Sequence, residues 1–208
     1  MNPTASYLND SLLYFGQFLS KSEADELEQQ LQRHVPWQQE RIRMMGRWIL
    51  QPRLTAWYGD ADAQYTYAGL VNQPLPWLPE LAQLRKRVES AVGLHFNSVL
   101  LNLYRNGRDY MGWHADDERA LGRDPVIASL SLGAARRFCL RPREAQKRRE
   151  SPFLNASEET LRIVLEPGSL LLMQAGIQHR YKHALPKALR VTEPRINLTF
   201  RRILGGNV

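Results

Sequence analysis

The sequence predicts an α+β, mainly β chain: a β-sandwich or jelly roll with helices packed on one face. Two observations carry this. Apolar residues recur every three to four positions in two early segments, then every second position from about residue 98 onward. Gly or Pro then punctuates the chain at Gly133, Pro142, Pro167-Gly168, Gly176 and Pro194, which cuts the later half into short runs. Two helices followed by seven or eight short strands fit helices laid against one side of a sheet pair.

The elements follow in order. Ser20 to His34 reads as a helix, with Ser20 or Ser22 as its cap and Leu27 and Leu31 four apart. Pro79 to Val92 reads as the second, with Leu81, Leu84, Val88 and Val92 on one face and Gly93 ending it. Strands are expected at 98–104, 126–132, 136–141, 161–166, 169–174, 178–183 and 195–201. Arg141 to Ala156 reads as a charged loop. No internal repeat and no Gly/Ser-rich linker divides the chain, so its 208 residues are expected to form one domain.

Composition narrows the class. At 43% hydrophobic and 24% charged residues, the chain can bury a substantial core. No apolar stretch approaches 18 residues, and the start lacks a basic segment followed by an apolar run, so neither a span nor an export signal is expected. The single cysteine, Cys139, cannot close an internal disulfide, and a reducing cytoplasm is the simplest expectation. Lys+Arg 28 against Asp+Glu 21 gives +7, a balance that favours a polyanionic partner.

Three pieces carry chemistry. The first is His114-Ala-Asp116 with His183 far downstream. Two histidines and one carboxylate on one face of a metal leave coordination positions open, as non-haem Fe(II) oxygenases require. The i, i+2 spacing fits a strand or its extended end. His179-x-x-x-His183 also has the spacing of a zinc helix, but Arg180 stands where that pattern needs Glu. His183 is therefore taken as the ligand and His179 as a neighbour or surface residue. The second piece is Arg195-Ile-Asn197-Leu-Thr199-Phe-Arg201. With period two, Arg195, Asn197, Thr199 and Arg201 share one face, and Ile196, Leu198 and Phe200 the other. The polar row, about 20 Å long, is either a solvated face or one built to hold an acid through its guanidinium groups. The third is Asn102-Leu-Tyr104-Arg-Asn-Gly107, in which Asn102 and Tyr104 share a face while Leu101 and Leu103 point into the core. Its end reads as an Asn-Gly turn.

In their order, Asn102-x-Tyr104-x-x-Gly107, His114-x-Asp116-Asp117-Glu118, His183-Ala-Leu-Pro186 and Arg195-x-Asn-x-Thr-Phe-Arg201 resemble the AlkB family of nucleic-acid demethylases. The resemblance runs from about Met44 to Leu204 and is closest to the branch typified by AlkB homologue 2, which acts on duplex DNA. It implies a double-stranded β-helix (jelly-roll) core over 98–204, a substrate-recognition hairpin region over 41–76, and an N-terminal extension and helix over 1–40. It implies that His114, Asp116 and His183 bind Fe(II), and that Asn102, Tyr104, Arg195, Asn197, Thr199 and Arg201 hold 2-oxoglutarate. Arg195 would pair with the distal carboxylate, and Arg201 would lie near the end that chelates the metal. The implied activity uses O2 to demethylate N1-methyladenine and N3-methylcytosine in DNA, releasing formaldehyde, succinate and CO2.

The substrate side follows from the same resemblance. Duplex-acting members carry an apolar finger at a hairpin tip, which fills the gap left by an extruded base. Met45 occupies that place, with Gly46 permitting the turn and Arg47 beside it. The branch typically has an aromatic residue there, so this departure leaves the choice of duplex or single strand open. Tyr65 and Tyr67 would line the pocket of the flipped base. Asp117 would accept a hydrogen bond from an exocyclic amine or face a cationic base, or else be a solvated charge. Arg47, Arg53, Arg143, Lys147, Arg148 and Arg149 are candidates for phosphate contacts. A monomer acting on alkylated DNA is expected. The alternatives are an RNA demethylase or another hydroxylase of the same fold, and a nucleic-acid-binding module without catalysis.

Overall fold

The computed structural model describes residues 2–44, 46–67, 70–143, 160–204 and 206–207, with backbone alone for 42–44, 65–67, 70–72 and 206–207. The first half of the chain contains β1 (Ala5–Tyr7), β2 (Leu12–Phe15), α1 (Lys21–His34), β3 (Arg41–Met44), β4 (Arg47–Leu50), β5 (Leu54–Gly59), β6 (Tyr65–Tyr67), β7 (Leu70–Asn72) and α2 (Pro79–Val92). The second half contains β8 (Ser98–Tyr104), β9 (Met111–His114), β10 (Ile127–Gly133), β11 (Arg136–Pro142), β12 (Leu161–Leu165) and β13 (Leu170–Met173). After these come α3 (Ile177–Arg180), β14 (Tyr181–Leu185), β15 (Arg195–Arg201) and β16 (Gly206–Asn207).

Period-two patterning decides how these strands layer. Seven form one antiparallel sheet in the order β1-β2-β13-β10-β15-β8-β5, and four form a second in the order β12-β11-β14-β9. Leu101, Leu103, Leu130, Leu132, Leu198 and Phe200 leave the large sheet on its outer side. There they pack with Ala24 and Leu31 of α1 and with Leu81, Leu84 and Val88 of α2. Each leucine so buried contributes roughly 1.5–3 kcal/mol. On the inner side, Ile127, Leu171 and Met173 of the large sheet meet Phe138, Leu140, Ile163 and Leu165 of the small one. This is a jelly-roll core with the helices on one face. Apolar side chains thus close one part of the space between the sheets, and polar residues line the rest.

Both helices start and stop on local chemistry. The Ser20 hydroxyl accepts the Glu23 N–H while the Glu23 carboxylate accepts the Ser20 N–H at 2.7 Å, a reciprocal cap that starts α1. Pro79 occupies the first turn of α2, and Gly93, at φ +69°, ends it.

One expectation needs correction, and two regions hold strands beyond those expected. The run expected as a strand over 178–183 is a helical turn, Ile177–Arg180, before β14 begins at Tyr181. Gly176 at φ +81° redirects the chain there, and Ile177 and Gln178 are buried by the turn rather than alternating across a sheet. The N-terminal extension holds two strands, β1 and β2, of which β2 pairs with β13. The region 41–76 also supplies β5, an edge strand of the large sheet beside β8.

Candidate active site

His114 ends β9, and His183 lies directly opposite it on β14. Asp116 follows two residues after His114, where the chain has left the strand. Candidate ligand atoms of His114, Asp116 and His183 all lie within 4.8 Å of one another. The Asp116 carboxylate is 3.5 Å from His114 Nε2 and 3.9 Å from His183 Nε2. His114 Nδ1 lies 2.9 Å from the Gly112 carbonyl, which assigns the proton to Nδ1 and leaves Nε2 free as a ligand. Asp116 is held as well: its backbone N–H donates to Gln178 Oε1 at 3.0 Å, and Gln178 Nε2 lies 3.6 Å from Met173 Sδ. Burial pushes the His183 imidazole down to about 4, against the opposing pull of Asp116. Burial would raise the Asp116 carboxyl, but Arg201, His183, His114 and Arg53 together hold it below its ordinary value. A neutral imidazole and an ionised carboxylate are the forms a metal binds.

Beside this cluster, three adjacent strands present one polar surface. On β15, Arg195 stands across from Tyr104 of β8, and Asn197 stands between Asn102 of β8 and Ser131 of β10. Asn197 Nδ2 donates to Ser129 Oγ at 2.8 Å and to the Leu130 carbonyl at 3.0 Å, and Arg53 Nε donates to Asn102 Oδ1 at 2.7 Å. Arg195 is 1% exposed. It donates to Ser131 Oγ at 2.9 Å and lies 5.5 Å from the centre of the Tyr104 ring. Arg201 reaches Asp116 at 3.4 Å. The solvated-face alternative for this row is therefore excluded.

These groups enclose a cavity of about 130 Å³, lined by the metal cluster, Arg53, Asn102, Tyr104, Arg195, Asn197, Thr199 and Arg201. That is small beside the ~300–1,000 Å³ of pockets for drug-sized ligands, so it suits a short acid. Its charge suits one too. Three guanidinium groups face the buried Asp116 carboxylate and the exposed Glu118, and Arg195 has no carboxylate partner among the described residues. Burial, with Arg136 adding to it, pushes the Arg195 guanidinium down to about 10, while Tyr104 opposes the shift. Its Nε is buried without a hydrogen-bond partner among the described residues. A buried cation lacking an anion is what a bound dicarboxylate would satisfy. The donor set fits Fe(II), and the cationic cavity fits 2-oxoglutarate.

The substrate-side expectations divide. β3 and β4 form the expected hairpin, with Met44 paired to Arg47 and Gly46 at φ +79°. Met45 lies outside the described residues, as do Lys147, Arg148 and Arg149 and the side chains of Tyr65 and Tyr67. Arg47 is exposed, and so are Trp48, Ile49 and Leu50 along β4. Asp117 is paired with Arg143. Arg53, expected on a phosphate, instead lines the metal cavity and binds Asn102. His179 contacts the Arg123 carbonyl and Asp124 and takes no part in the cluster. Sequence reasoning missed Ser129, Ser131 and Gln178. The serines alternate with Leu130 and Leu132 in an expected strand, so parity alone could have placed them on the polar face. Nothing local marks Gln178.

The model of the 2OG-Fe(II) oxygenase superfamily matches residues 11–201. DNA oxidative demethylase ALKBH2 of Homo sapiens is 41% identical over 187 residues, covering 88% of this chain and 70% of the relative. The chain belongs to the AlkB family. Alpha-ketoglutarate-dependent dioxygenase alkB homolog 3 of Homo sapiens is 43% identical over 195 residues, covering 92% of this AlkB-family chain and 65% of the relative. The chain thus spans a little under two thirds of the alkB homolog 3 length. The solved structure of OsALKBH1 shares the fold, with TM-score 0.63 at 16% identity over 95% of this chain and all of that one. Among the described residues no helix is long and apolar enough to cross a membrane.

Proposed function

We propose that this AlkB-family chain oxidatively demethylates alkylated bases in DNA, N1-methyladenine and N3-methylcytosine among them. The observation that carries the proposal is the placement of the His114–Asp116–His183 cluster against a cationic cavity ending in Arg195, which has no carboxylate partner among the described residues. The base as substrate is supported by the relatives named DNA oxidative demethylases at 40–41% identity.

In this proposal His114, Asp116 and His183 hold the metal. When bound, Fe(II) with 2-oxoglutarate and O2 supplies the oxidation, turning an N-methyl into an N-hydroxymethyl that leaves as formaldehyde, with succinate and CO2 formed alongside. The residues around them position and exclude. Arg195 takes the distal carboxylate, with Ser131 fixing its guanidinium and Tyr104 filling the space beside it. Burial is the main influence on the Tyr104 phenol and pushes it up, so it keeps its proton and can donate. Arg201 and Arg53 offset the negative charge brought next to Asp116. Phe138, Leu165, Met173 and Leu185 keep water from the metal side of the cavity.

The test is formaldehyde release by iron-loaded protein on methylated oligonucleotides in duplex and single-stranded DNA and in RNA, with 2-oxoglutarate present and absent. Turnover that needs 2-oxoglutarate and a methylated DNA base supports the proposal. Succinate formation with no gain from any methylated nucleic acid refutes the substrate.

A further inference from the structure

The outer face of the four-stranded sheet has no part in the cavity. In β11, Arg136, Phe138 and Leu140 point inward, so Arg137, Cys139 and Arg141 stand on the other side, where Arg137 is exposed, Arg141 half-buried and Cys139 buried. By the same alternation Arg162 and Val164 of β12 and Lys182 of β14 stand on the outer face, and Trp113 of β9, where the register against β14 shifts, joins them through its contact with Arg141. Register brings them together: Cys139 is flanked by Arg162 and Ala184, Arg141 lies opposite Lys182, and Arg137 opposite Val164. Within the four strands this face carries four cations and no Asp or Glu. Val164 is 50% exposed and Trp113 38% exposed, with the Arg141 guanidinium 4.3 Å from the centre of the indole.

We propose that this face is a docking track for single-stranded nucleic acid that runs on from the base held at the metal. Three features select that occupant. Four cations with no interspersed carboxylate match a polyphosphate, whose counterions they would displace. An antiparallel sheet face with an exposed aromatic side chain is a stacking platform for unpaired bases. Trp113 immediately precedes His114, so the platform begins where the target base would leave the strand. From β9 to β12 the face spans three inter-strand gaps, about 14 Å, enough for a few nucleotides beyond the target. This inference rests on the proposed action on nucleic acid, and its test does not depend on catalysis.

The experiment measures binding of an unmethylated single-stranded fifteen-nucleotide DNA by fluorescence anisotropy at several salt concentrations, together with turnover of a methylated trinucleotide. The variants are Arg137→Gln/Arg162→Gln, Trp113→Ala and Trp113→Phe. The double variant should weaken fifteen-nucleotide binding about tenfold and lower the salt slope by about 1.4, two phosphate contacts at ~0.7 each for single strands. Its trinucleotide turnover should be unchanged. Trp113→Ala should weaken binding by a similar factor with the salt slope intact, and Trp113→Phe should restore it. Wild-type affinity and slope in the double variant would overturn the proposal, as would an equal loss on the trinucleotide. Binding that depends on these residues in a protein that demethylates nothing would refute the proposed function and leave the track standing.

Discussion

Replacing Arg195 with methionine separates co-substrate binding from fold stability. The guanidinium is 1% exposed, rests on Ser131 and the Tyr104 ring, and faces no carboxylate among the described residues. With 2-oxoglutarate bound it would gain a paired, charge-assisted contact, and truncating one partner of such a buried pair costs about 3–5 kcal/mol. At 1.4 kcal/mol per factor of ten this weakens 2-oxoglutarate roughly 100- to 4,000-fold. Without co-substrate the change removes a buried charge that lacks an anion, and a methionine of similar length keeps the contact with Tyr104. Stability of the co-substrate-free protein should therefore stay within about 1 kcal/mol or rise. Thermal unfolding with metal present, with and without 2-oxoglutarate, reads both effects. At about 100 times its Kd, 2-oxoglutarate stabilises the wild type by ~2.7 kcal/mol, a Tm rise of roughly 5–11 °C for a chain of this size. The same concentration should move Arg195→Met by ~1 °C or less. A variant that keeps its KM for 2-oxoglutarate within about threefold, or loses stability while keeping that KM, would refute this role for Arg195.

Asp116→Ala should abolish Fe(II) binding in a metal titration and leave no 2-oxoglutarate-dependent demethylation; chelation of the wild type should do the same, reversed by added Fe(II). Gln178→Ala leaves the Asp116 N–H unpaired in a buried site and should weaken Fe(II) or Co(II) binding about 10-fold, as lost support of a ligand typically does; unchanged metal affinity would show that Asp116 needs no such brace. Arg87, with Ser20, holds the Glu23 carboxyl down to about 2 from 4.5. Its contribution to stability is therefore complete above pH 4.5 and lost as pH falls toward 2, and Glu23→Gln should flatten the acid limb of a Tm-against-pH curve. At Gly107 an added Cβ would stand 1.8 Å from the Ala188 carbonyl oxygen. Gly107→Ala should therefore destabilise by about 1–3 kcal/mol in denaturant titration; a neutral result would mean that the 188–191 loop yields freely.

Legibility in the sequence followed the strength of alternation. Ser98–Tyr104 and Arg195–Arg201 were readable to the residue because each sets an apolar face against α1 and α2 and a polar face against the cavity. β2 was not readable. Its four residues, Leu12–Phe15, are apolar throughout, and their strand character comes from pairing with β13, more than 150 positions away. The helical turn at Ile177–Arg180 was hidden for a related reason. Its four residues lack helical periodicity, and the turn is set by Gly176 and by the burial of Ile177 and Gln178. Arg53 shows the limit for charge. Type alone suggested a phosphate contact, whereas its position two residues after Gln51, where β4 leads into β5, brings it onto Asn102.

The metal cluster needs more than its three ligands. His114 and His183 are fixed by strand pairing, because a one-residue slip of β9 against β14 would turn one of them out of the cavity. Asp116 has no such protection, since it lies beyond the last paired residue of β9. Its position depends on Gln178, whose amide crosses from α3 to the Asp116 backbone, and on Arg201, which meets its carboxylate from β15. The large sheet and α3 therefore set the one ligand that the small sheet cannot. That arrangement couples the metal to the co-substrate face: Arg201 shares β15 with Arg195, so a shift of β15 would move the carboxylate's partner and the 2-oxoglutarate anchor together.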